Sequence, residues 1–136
     1  MQISELHVGD AYTNQEIVDT FKCGNMGGLR RSKQTNTLVI FVKHGQCYHA
    51  DEWRDGVLNF TGMGKVGDQS INYSQNKTLA ESMSSGIGLH LFESFEPGNY
   101  IYSGEVELSA EPFEAVEPGK DGRDRVVIKF PLKLKQ

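Results

Sequence analysis

Short apolar stretches alternate with glycine-containing turns along the chain, a pattern typical of a sheet-rich fold. Residues 37–42 (Thr-Leu-Val-Ile-Phe-Val) form a β-branched apolar run too short for a typical helix, so they predict a buried strand. The pattern predicts three later strands, at residues 89–93, 100–108 and 125–132. We expect Pro131 to end the last strand, because proline has no N–H to donate. Residues 110–122 are acidic and rich in proline and glycine, which indicates a surface loop or hairpin tip.

Two short helices are predicted. Thr13 stands three residues before Glu16, the spacing of a capping box, and this predicts a helix over residues 14–21. The side chains expected to face inward from it are Ile17, Val18 and Phe21. Residues 76–83 predict the second helix, which ends near Gly86. With about six strands and no repeat or linker, these helices indicate one α+β domain with a curved or barrel-like sheet.

A hairpin is predicted around Asp55-Gly56, because glycine accepts the positive φ that such turns require. Its arms are residues 46–53 and 57–61. Folding at this turn brings together four side chains of the two arms, Tyr48, Asp51, Phe60 and Thr61. Two aromatic faces, a carboxylate and a hydroxyl suit a planar polar ligand such as a nucleobase. The alternative is that Tyr48, Trp53 and Phe60 are half-buried strand aromatics, which strands favour.

Composition restricts the class of protein. A chain of 136 residues has the size of one domain, and it contains no apolar run long enough to cross a membrane and no signal-peptide pattern. Its two cysteines lack Cys-x-x-Cys spacing, so neither a disulfide framework nor a zinc site is indicated. We therefore expect a protein of the reducing cell interior, with no metal and no cofactor.

The charge is unevenly distributed. The net charge of −4 argues against an indiscriminate polyanion binder. Yet residues 20–80 contain eight basic and four acidic side chains, whereas residues 81–121 contain nine acidic and one basic. This asymmetry is compatible with one basic face on an acidic body. The glycine-rich segment 23–28 leads into Arg30 and Arg31 and suits phosphate contacts, although it is not a nucleotide P-loop.

An ordered series of motifs resembles the SRA (SET- and RING-associated) domain, a family of modified-cytosine readers with the PUA-like fold. The motifs are Tyr48-x-x-Asp51, Phe60-Thr61-Gly62-x-Gly64, Gly67-Asp68-Gln69 and Asn76-Lys77-x-Leu79. The similarity is closer still to the SRA-like N-terminal domains of HNH-type, modification-dependent restriction endonucleases. These share Gly-Gly-Leu-Arg-Arg-Ser, the Thr-Gly-Met-Gly step and the ending Phe130-Pro131-Leu132. One departure is Phe60, where the family usually has tyrosine, so stacking survives but a phenolic hydrogen bond does not.

The resemblance implies a fold and a set of site residues. The fold is a PUA/SRA-like curved β-barrel with two short helices, with residues 1–136 forming a single domain. A modified cytosine flipped out of the duplex would enter a pocket formed by Tyr48, Ala50, Asp51, Phe60 and Thr61. Asp51 would accept a hydrogen bond from the exocyclic amine, and the rings of Tyr48 and Phe60 would stack on the two faces of the base. The DNA backbone would contact Arg30, Arg31, Ser32, Lys33, Lys65 and Lys77. A loop carrying Met63, Asp68 and Gln69 would enter a groove.

The resemblance also implies partners. We expect double-stranded DNA with a modified base, 5-methylcytosine or a related modification, as the ligand. We expect the domain to be excised from a larger restriction endonuclease of phage defence, with a covalently linked HNH nuclease domain and a possible homodimer formed through the parent. The expected location is the cytoplasm of a bacterial or archaeal cell, with no membrane contact.

Two other functions stay open. The same barrel suits a reader of N6-methyladenine or of RNA, because a carboxylate also accepts the amine of adenine. A self-contained nuclease is the second alternative, since acid–base and metal-binding groups occur at His44, His49, His90, Asp51, Glu52 and Asp55. There is no His-Asn-His pattern and no helix-borne His-x-x-x-His, and His90 on its predicted strand is expected to be a packed or edge residue. We therefore expect a reader and not an enzyme.

Overall fold

The computed structural model describes residues 1–45 and 51–135. Within these ranges nine strands form one sheet in the order β2-β3-β6-β7-β9-β5-β4, with β1 added on β7 and β8 on β9. The strands are β1 (Ala11–Tyr12), β2 (Leu29–Ser32), β3 (Thr37–Lys43), β4 (Trp53–Arg54), β5 (Val57–Thr61), β6 (Gly88–Glu96), β7 (Asn99–Leu108), β8 (Phe113–Pro118) and β9 (Asp124–Leu134). The helices are α1 (Asn14–Phe21), α2 (Gln75–Ala80) and α3 (Ser82–Ser85), after a 3₁₀ turn at Ile3–Glu5.

The predicted fold class is confirmed. Only the β3–β6 pair is parallel among the described strands, and the rest are antiparallel. A mixed sheet with few helices, open between β2 and β4 in the described residues, is consistent with the predicted curved α+β barrel. Apolar side chains form two buried clusters. The larger contains residues from β3, β5, β6 and β9, and the smaller lies between α1 and strands β3, β6 and β7.

The first helix forms as its sequence predicts. The Thr13 hydroxyl accepts from the Glu16 N–H at 3.1 Å, and the Glu16 carboxylate accepts from the Thr13 N–H at 2.9 Å. These two bonds satisfy donors that a helix start leaves unpaired. Ile17 and Phe21 are buried as expected, but Val18 is only half-buried and Thr20 lies inward in its place. The predicted second helix is divided at Glu81 into α2 and α3 and ends at Gly86, whose φ is +74°.

Two predictions for the C-terminal part were wrong in detail. Within the segment expected to be a loop or hairpin tip, Phe113–Pro118 forms β8 and pairs along its whole length with β9. It is an edge strand, and four of its six residues are exposed. Pro131 does not end the last strand, which continues to Leu134. Proline removes only the N–H, and the Pro131 carbonyl still accepts from Ser109 at 2.8 Å.

Candidate functional site

The Asp55-Gly56 turn forms the predicted hairpin. Both residues have positive φ, +53° and +80°, and β4 pairs with β5 directly across them. Asp55 tolerates this conformation as the first residue of such a turn, and glycine has no Cβ to oppose it. In the first predicted arm, Trp53–Arg54 forms the paired strand. Two predicted pocket residues, Tyr48 and Ala50, lie outside the described residues.

The structure places Asp51 and Thr61 in direct contact. The Thr61 hydroxyl donates to Asp51 Oδ1 at 2.6 Å, and the Thr61 N–H donates to Asp51 Oδ2 at 3.1 Å. Both residues are buried, with exposed fractions of 4% and 3%. A carboxylate that accepts a main-chain and a side-chain hydrogen bond is held in one orientation. Asp51 is therefore a hydrogen-bond acceptor held in a fixed position beside Thr61, the last residue of β5.

Two residues that sequence reasoning missed complete this network. Lys129 on β9 lies opposite Thr61 in the β5–β9 register. Its ammonium group donates to Thr61 Oγ1 at 2.7 Å and to Glu117 Oε2 at 2.6 Å, and lies 3.6 Å from Asp51 Oδ1. Lysine is rarely buried without a charged partner, so a lysine amid the apolar residues of 126–130 was the available signal. Glu117 gave no such signal, because its segment was predicted as a loop.

The network leaves one acceptor unused. Lys129 is 6% exposed and lies between two carboxylates, so the negative charges outnumber the positive one. Glu117 Oε1 is buried and has no hydrogen-bond partner among the residues that the structure describes. A buried oxygen without a donor costs about 1–3 kcal/mol. A ligand that brings an N–H to this atom would recover that cost.

A groove opens beside this network. Its volume is about 270 Å³, and its lining residues are Glu52, Arg54, Asn59, Phe113, Ala115, Glu117 and Lys129. On β8 the lining residues are alternate ones, Phe113, Ala115 and Glu117, because alternate residues of a strand share one face of the sheet. Phe113 exposes 45% of its surface at this groove. The groove thus combines an aromatic face with charged and amide groups.

Phe60 lies elsewhere than the sequence predicted. Its ring is 4% exposed and belongs to the larger core cluster, opposite Phe130 in the β5–β9 register. Neighbouring strand residues face opposite sides, so the side chains of Phe60 and Thr61 diverge. This correction removes Phe60 from the groove that contains Lys129. The burial of Phe60 in the core does not support the prediction that a base stacks on its ring.

The predicted phosphate contacts divide into buried and exposed residues. Arg30 is 6% exposed: its guanidinium lies 3.9 Å from the centre of the Phe41 ring and donates to Asn14 Oδ1 (2.6 Å) and to the main-chain oxygens of Gly27 (3.0 Å) and Gly24 (3.3 Å). Burial lowers the pKa of this group, and the neighbouring Cys23 partly opposes the shift. Arg30 thus supports the glycine-rich loop from inside.

The other predicted phosphate contacts are mostly more accessible. Arg31 is half-buried and donates to the main-chain oxygens of Ser32 and Thr37. Ser32 is 1% exposed, which leaves no room for a phosphate. The side chains exposed to solvent are those of Lys33, Lys65 and Lys77. Of the predicted phosphate contacts, these three lysines therefore have the most accessible side chains.

The loop at residues 62–69, which was predicted to enter a groove of the DNA, is attached to the sheet. The Gln69 amide donates to the carbonyls of Gly62 and Gly64 at 2.7 and 3.0 Å, and its oxygen accepts from the Ile128 N–H at 2.8 Å. Asp68 accepts from the Val126 N–H at 2.8 Å. Gln69 and Asp68, two predicted groove residues, therefore anchor the loop.

The rest of this loop depends on Asn76. The third predicted groove residue, Met63, is partly buried against the core, and its N–H donates to Asn76 Oδ1 at 2.7 Å. A Cβ at Gly62 would lie 2.8 Å from the same oxygen, so this position requires glycine. The exposed part of the loop is residues 65–68, and Val66 has 61% of its surface exposed.

His90 is a packed residue, as predicted. Its Nδ1 lies 2.8 Å from the Tyr102 hydroxyl, and the ring is 7% exposed. Burial lowers the pKa of His90 below its ordinary 6.5 and raises the pKa of Tyr102 to about 12. The described residues contain no group of three or more histidine, cysteine, aspartate or glutamate side chains arranged to hold a metal. In the same part of the chain, no helix is both long and apolar enough to cross a membrane.

Comparison with known families confirms the resemblance predicted from the sequence motifs. Residues 8–134 match the family model described as "ScoMcrA-like, SRA domain". A search of curated proteins found no match to the chain.

Solved structures share this fold. A structure of the sulfur-binding and SRA domains of ScoMcrA complexed with phosphorothioated DNA matches with a TM-score of 0.77 and 17% sequence identity. The match covers 96% of this chain and 40% of the ScoMcrA chain. The type IV phosphorothioation-dependent restriction endonuclease ScoMcrA gives the same TM-score, identity and coverage of this chain, but the match spans 28% of its length. The SUVH5 SRA domain in complex with methylated CHH DNA has a TM-score of 0.71 and 24% identity, covering 96% of this chain and 90% of its own.

Proposed function

Because the chain belongs to the family of ScoMcrA-like SRA domains, we propose that it is a DNA-binding domain that extrudes a modified cytosine and reads it. The observation that carries this proposal is the buried network of Asp51, Thr61, Lys129 and Glu117 beside an open groove. The similar SUVH5 domain was solved with methylated CHH DNA, and another structure of it with hydroxymethylated CG DNA. These complexes support a modified base as the ligand.

Base extrusion explains why such a network is useful. A duplex hides the polar edge of each base in its pair, so a reader of that edge swings the nucleotide out at a cost of a few kcal/mol. Stacking on an aromatic ring returns about 1–3 kcal/mol per base. Carboxylates accept a hydrogen bond from the exocyclic amine of cytosine. Hydrogen bonds to the acceptors of this network therefore recover a further part of the free energy spent on extruding the base.

The network gives each residue a distinct role. Asp51 holds Thr61 and Lys129 in place, and the carboxylates of Asp51 and Glu117 supply acceptors for the edge of the base. Thr61 lines the position of the modification; because its hydroxyl bonds Asp51 and Lys129, its methyl group is left for an apolar contact. Tyr48 and Ala50, just before Asp51 in the chain, complete the pocket in this proposal.

Affinity for any duplex comes from the exposed lysines. Lys33, Lys65 and Lys77 contact phosphates, with Arg31 as a further donor beside them. Such contacts set the position of the protein on DNA but do not read its sequence. Arg30 acts indirectly, by supporting the glycine-rich loop before β2. Met63 and the exposed tip at Lys65 and Val66 approach a groove of the duplex.

The parent protein is proposed by analogy. This chain spans 40% and 28% of the two ScoMcrA structures that it matches, and one of those is described as a restriction endonuclease. We propose that the domain directs a linked nuclease domain, of the HNH type, to modified DNA in a bacterial or archaeal cytoplasm. In such a protein the reader performs no catalysis, and dimerisation would come from the parent.

Binding to matched duplexes tests the function. Fluorescence anisotropy at one fixed salt concentration would compare duplexes that differ only in 5-methylcytosine, 5-hydroxymethylcytosine, N6-methyladenine or a phosphorothioate linkage. We expect a modified-cytosine duplex to bind at least tenfold more tightly than its unmodified match. Equal affinity for modified-cytosine and unmodified duplexes would reject the proposal, and a preference for N6-methyladenine or for single-stranded RNA would replace it with the corresponding alternative.

A further inference from the structure

We propose that the turn between β8 and β9, residues 119–123, contacts the DNA backbone through Lys120, acting together with Lys65. This inference rests on the DNA binding of the proposed function and adds to the interface a segment outside the motifs of the resemblance. The sequence predicts most of this turn only as part of an acidic surface loop or hairpin tip. The observation behind the inference is a hydrogen bond, in which the Lys120 N–H donates to the Lys65 carbonyl at 2.8 Å.

The turn packs closely against the loop at residues 62–69. A Cβ at Gly119 would lie 3.0 Å from Cδ of Arg125 and 3.1 Å from the Lys65 carbonyl oxygen. Both distances are shorter than ordinary van der Waals contacts. Because glycine has no Cβ, the main chain of the turn can approach the loop this closely.

Arg125 holds the other side of this contact. Its side chain is buried, and Nη1 donates to the carbonyls of Gly64 and Gly67 at 2.5 and 3.3 Å. The turn is closed by its own hydrogen bond, from the Gly119 N–H to the Arg123 carbonyl at 2.8 Å. Turn and loop are therefore joined by hydrogen bonds from main-chain and buried side-chain groups, which keep the two lysines at a constant spacing.

The charges of Lys65 and Lys120 are available to a ligand. Both side chains are exposed, and neither forms an ion pair within the described part of the chain. Two nearby carboxylates accept hydrogen bonds from the main chain: Asp68 from an N–H of β9 at 2.8 Å, and Asp121 from an N–H of the turn at 3.0 Å. The two ammonium groups thus project from a shared support without a carboxylate partner.

A DNA strand suits this pair of cations. Residues of two segments joined by main-chain hydrogen bonds have Cα atoms about 5 Å apart. Each strand of a duplex carries one phosphate per about 3.4 Å along the helix axis. Two ammonium groups on flexible side chains at such a spacing can contact neighbouring phosphates of one strand. Contacts of this kind raise the affinity for any duplex and do not read its sequence.

The test is the salt dependence of binding, measured by fluorescence anisotropy with an unmodified duplex and its 5-methylcytosine match. Lys120→Ala should reduce the slope of log affinity against log salt by about 0.9, and combining it with Lys65→Ala should reduce the slope by about 1.8. Lys120→Arg keeps the charge and should keep the slope. Lys133→Ala removes an exposed lysine near the other end of β9 and should also keep the wild-type slope.

The outcomes separate this inference from the proposed function. A wild-type slope in Lys120→Ala overturns the inference alone, as does an equal decrease of the slope in Lys133→Ala. Equal affinity of the wild type for the two duplexes rejects base recognition, but a reduced slope in Lys120→Ala would still show a DNA contact at the turn. Lys120→Ala should keep the wild-type ratio of the two affinities, and a changed ratio would contradict a contact with the backbone.

Discussion

Arg30 and Lys129 are two cations with the same exposed fraction, 6%, but their surroundings differ. The partners of Arg30 include main-chain carbonyls, the Asn14 amide oxygen and the face of Phe41. Lys129 lies between the carboxylates of Asp51 and Glu117, beside a groove, and Glu117 Oε1 has no hydrogen-bond partner within the described part of the chain. A buried cation that is enclosed by its own loop is structural, whereas one that organises spare acceptors at a surface suits recognition.

This difference matters because the sequence suggests the reverse. Two adjacent arginines after a glycine-rich loop resemble a phosphate site, and the lysine in the last strand was not among the predicted site residues. In the structure Arg30 is enclosed by its own loop, whereas Lys129 joins two carboxylates of the candidate site. The comparison therefore predicts that substitutions at the two cation sites will separate stability from base discrimination.

The largest expected effect is that of Asp51→Asn. Removing this charge leaves Lys129 with one carboxylate and alters both bonds to Thr61, so the free energy of unfolding should fall by about 3 kcal/mol. The preference for modified DNA should disappear as well. Urea denaturation and anisotropy measure the two effects. Asp55→Asn, at the exposed turn of the same hairpin, is the control and should change neither. Full discrimination by Asp51→Asn would contradict a recognition role for the network.

Arg30→Met should lower stability without changing discrimination. The substitution removes the hydrogen bonds to the glycine-rich loop and the contact with Phe41, at a cost of about 2 kcal/mol. The ratio of affinities for modified and unmodified duplexes should stay at the wild-type value. Arg123→Met, at an exposed position, controls for loss of charge. If Arg30→Met abolished the preference and kept full stability, the two cation sites would not differ as described.

Lys65→Ala should weaken binding to all duplexes equally. One phosphate contact fewer reduces the slope of log affinity against log salt by about 0.9. Anisotropy titrations at several salt concentrations measure this slope. Lys135→Ala removes the same charge next to Glu105, and we expect it to leave the slope unchanged. Equal changes in both variants would indicate a general effect of charge and no contact at Lys65.

The smallest expected effect is the pH dependence from His90. Its pKa is lowered in the folded protein, chiefly by burial, while Glu105 and Lys135 act in opposite directions. Below pH 6.5, the ordinary value, the unfolded state therefore binds a proton that the folded state does not. The contribution of His90 to stability is fully present above pH 6.5 and is lost as the pH decreases below that value. Thermal melts from pH 7.5 to 5 should show a smaller decrease for His90→Gln than for His7→Gln; identical decreases would exclude His90 as the cause.

Local signals predicted much of the fold. The capping box of Thr13 and Glu16, the β-branched run at 37–42 and the Asp55-Gly56 turn each specify short-range geometry, and each appears in the structure. β8 was missed because an edge strand needs no apolar alternation when most of its side chains face solvent. Pro131 was misread because a strand tolerates the loss of one N–H.

The candidate site was less predictable because its contacts are distant in the chain. Lys129 meets Thr61 across 68 residues, and only strand register brings them together. Phe60 was assigned to the same pocket as Thr61 from the predicted hairpin and the family motif, although alternation along β5 places its side chain in the core. Gln69 and Asp68 looked like loop residues free to reach DNA, but their hydrogen bonds to β9 become visible only in three dimensions.

A crystal structure of the domain with a duplex that contains a single 5-methylcytosine tests the central claim most directly. We predict that the methylated base lies outside the helical stack, in the groove, with its amine within hydrogen-bond distance of the Asp51 or Glu117 carboxylate. A methylated base that stays stacked in the duplex, or one extruded onto a surface distant from Glu117 and Asp51, would contradict it.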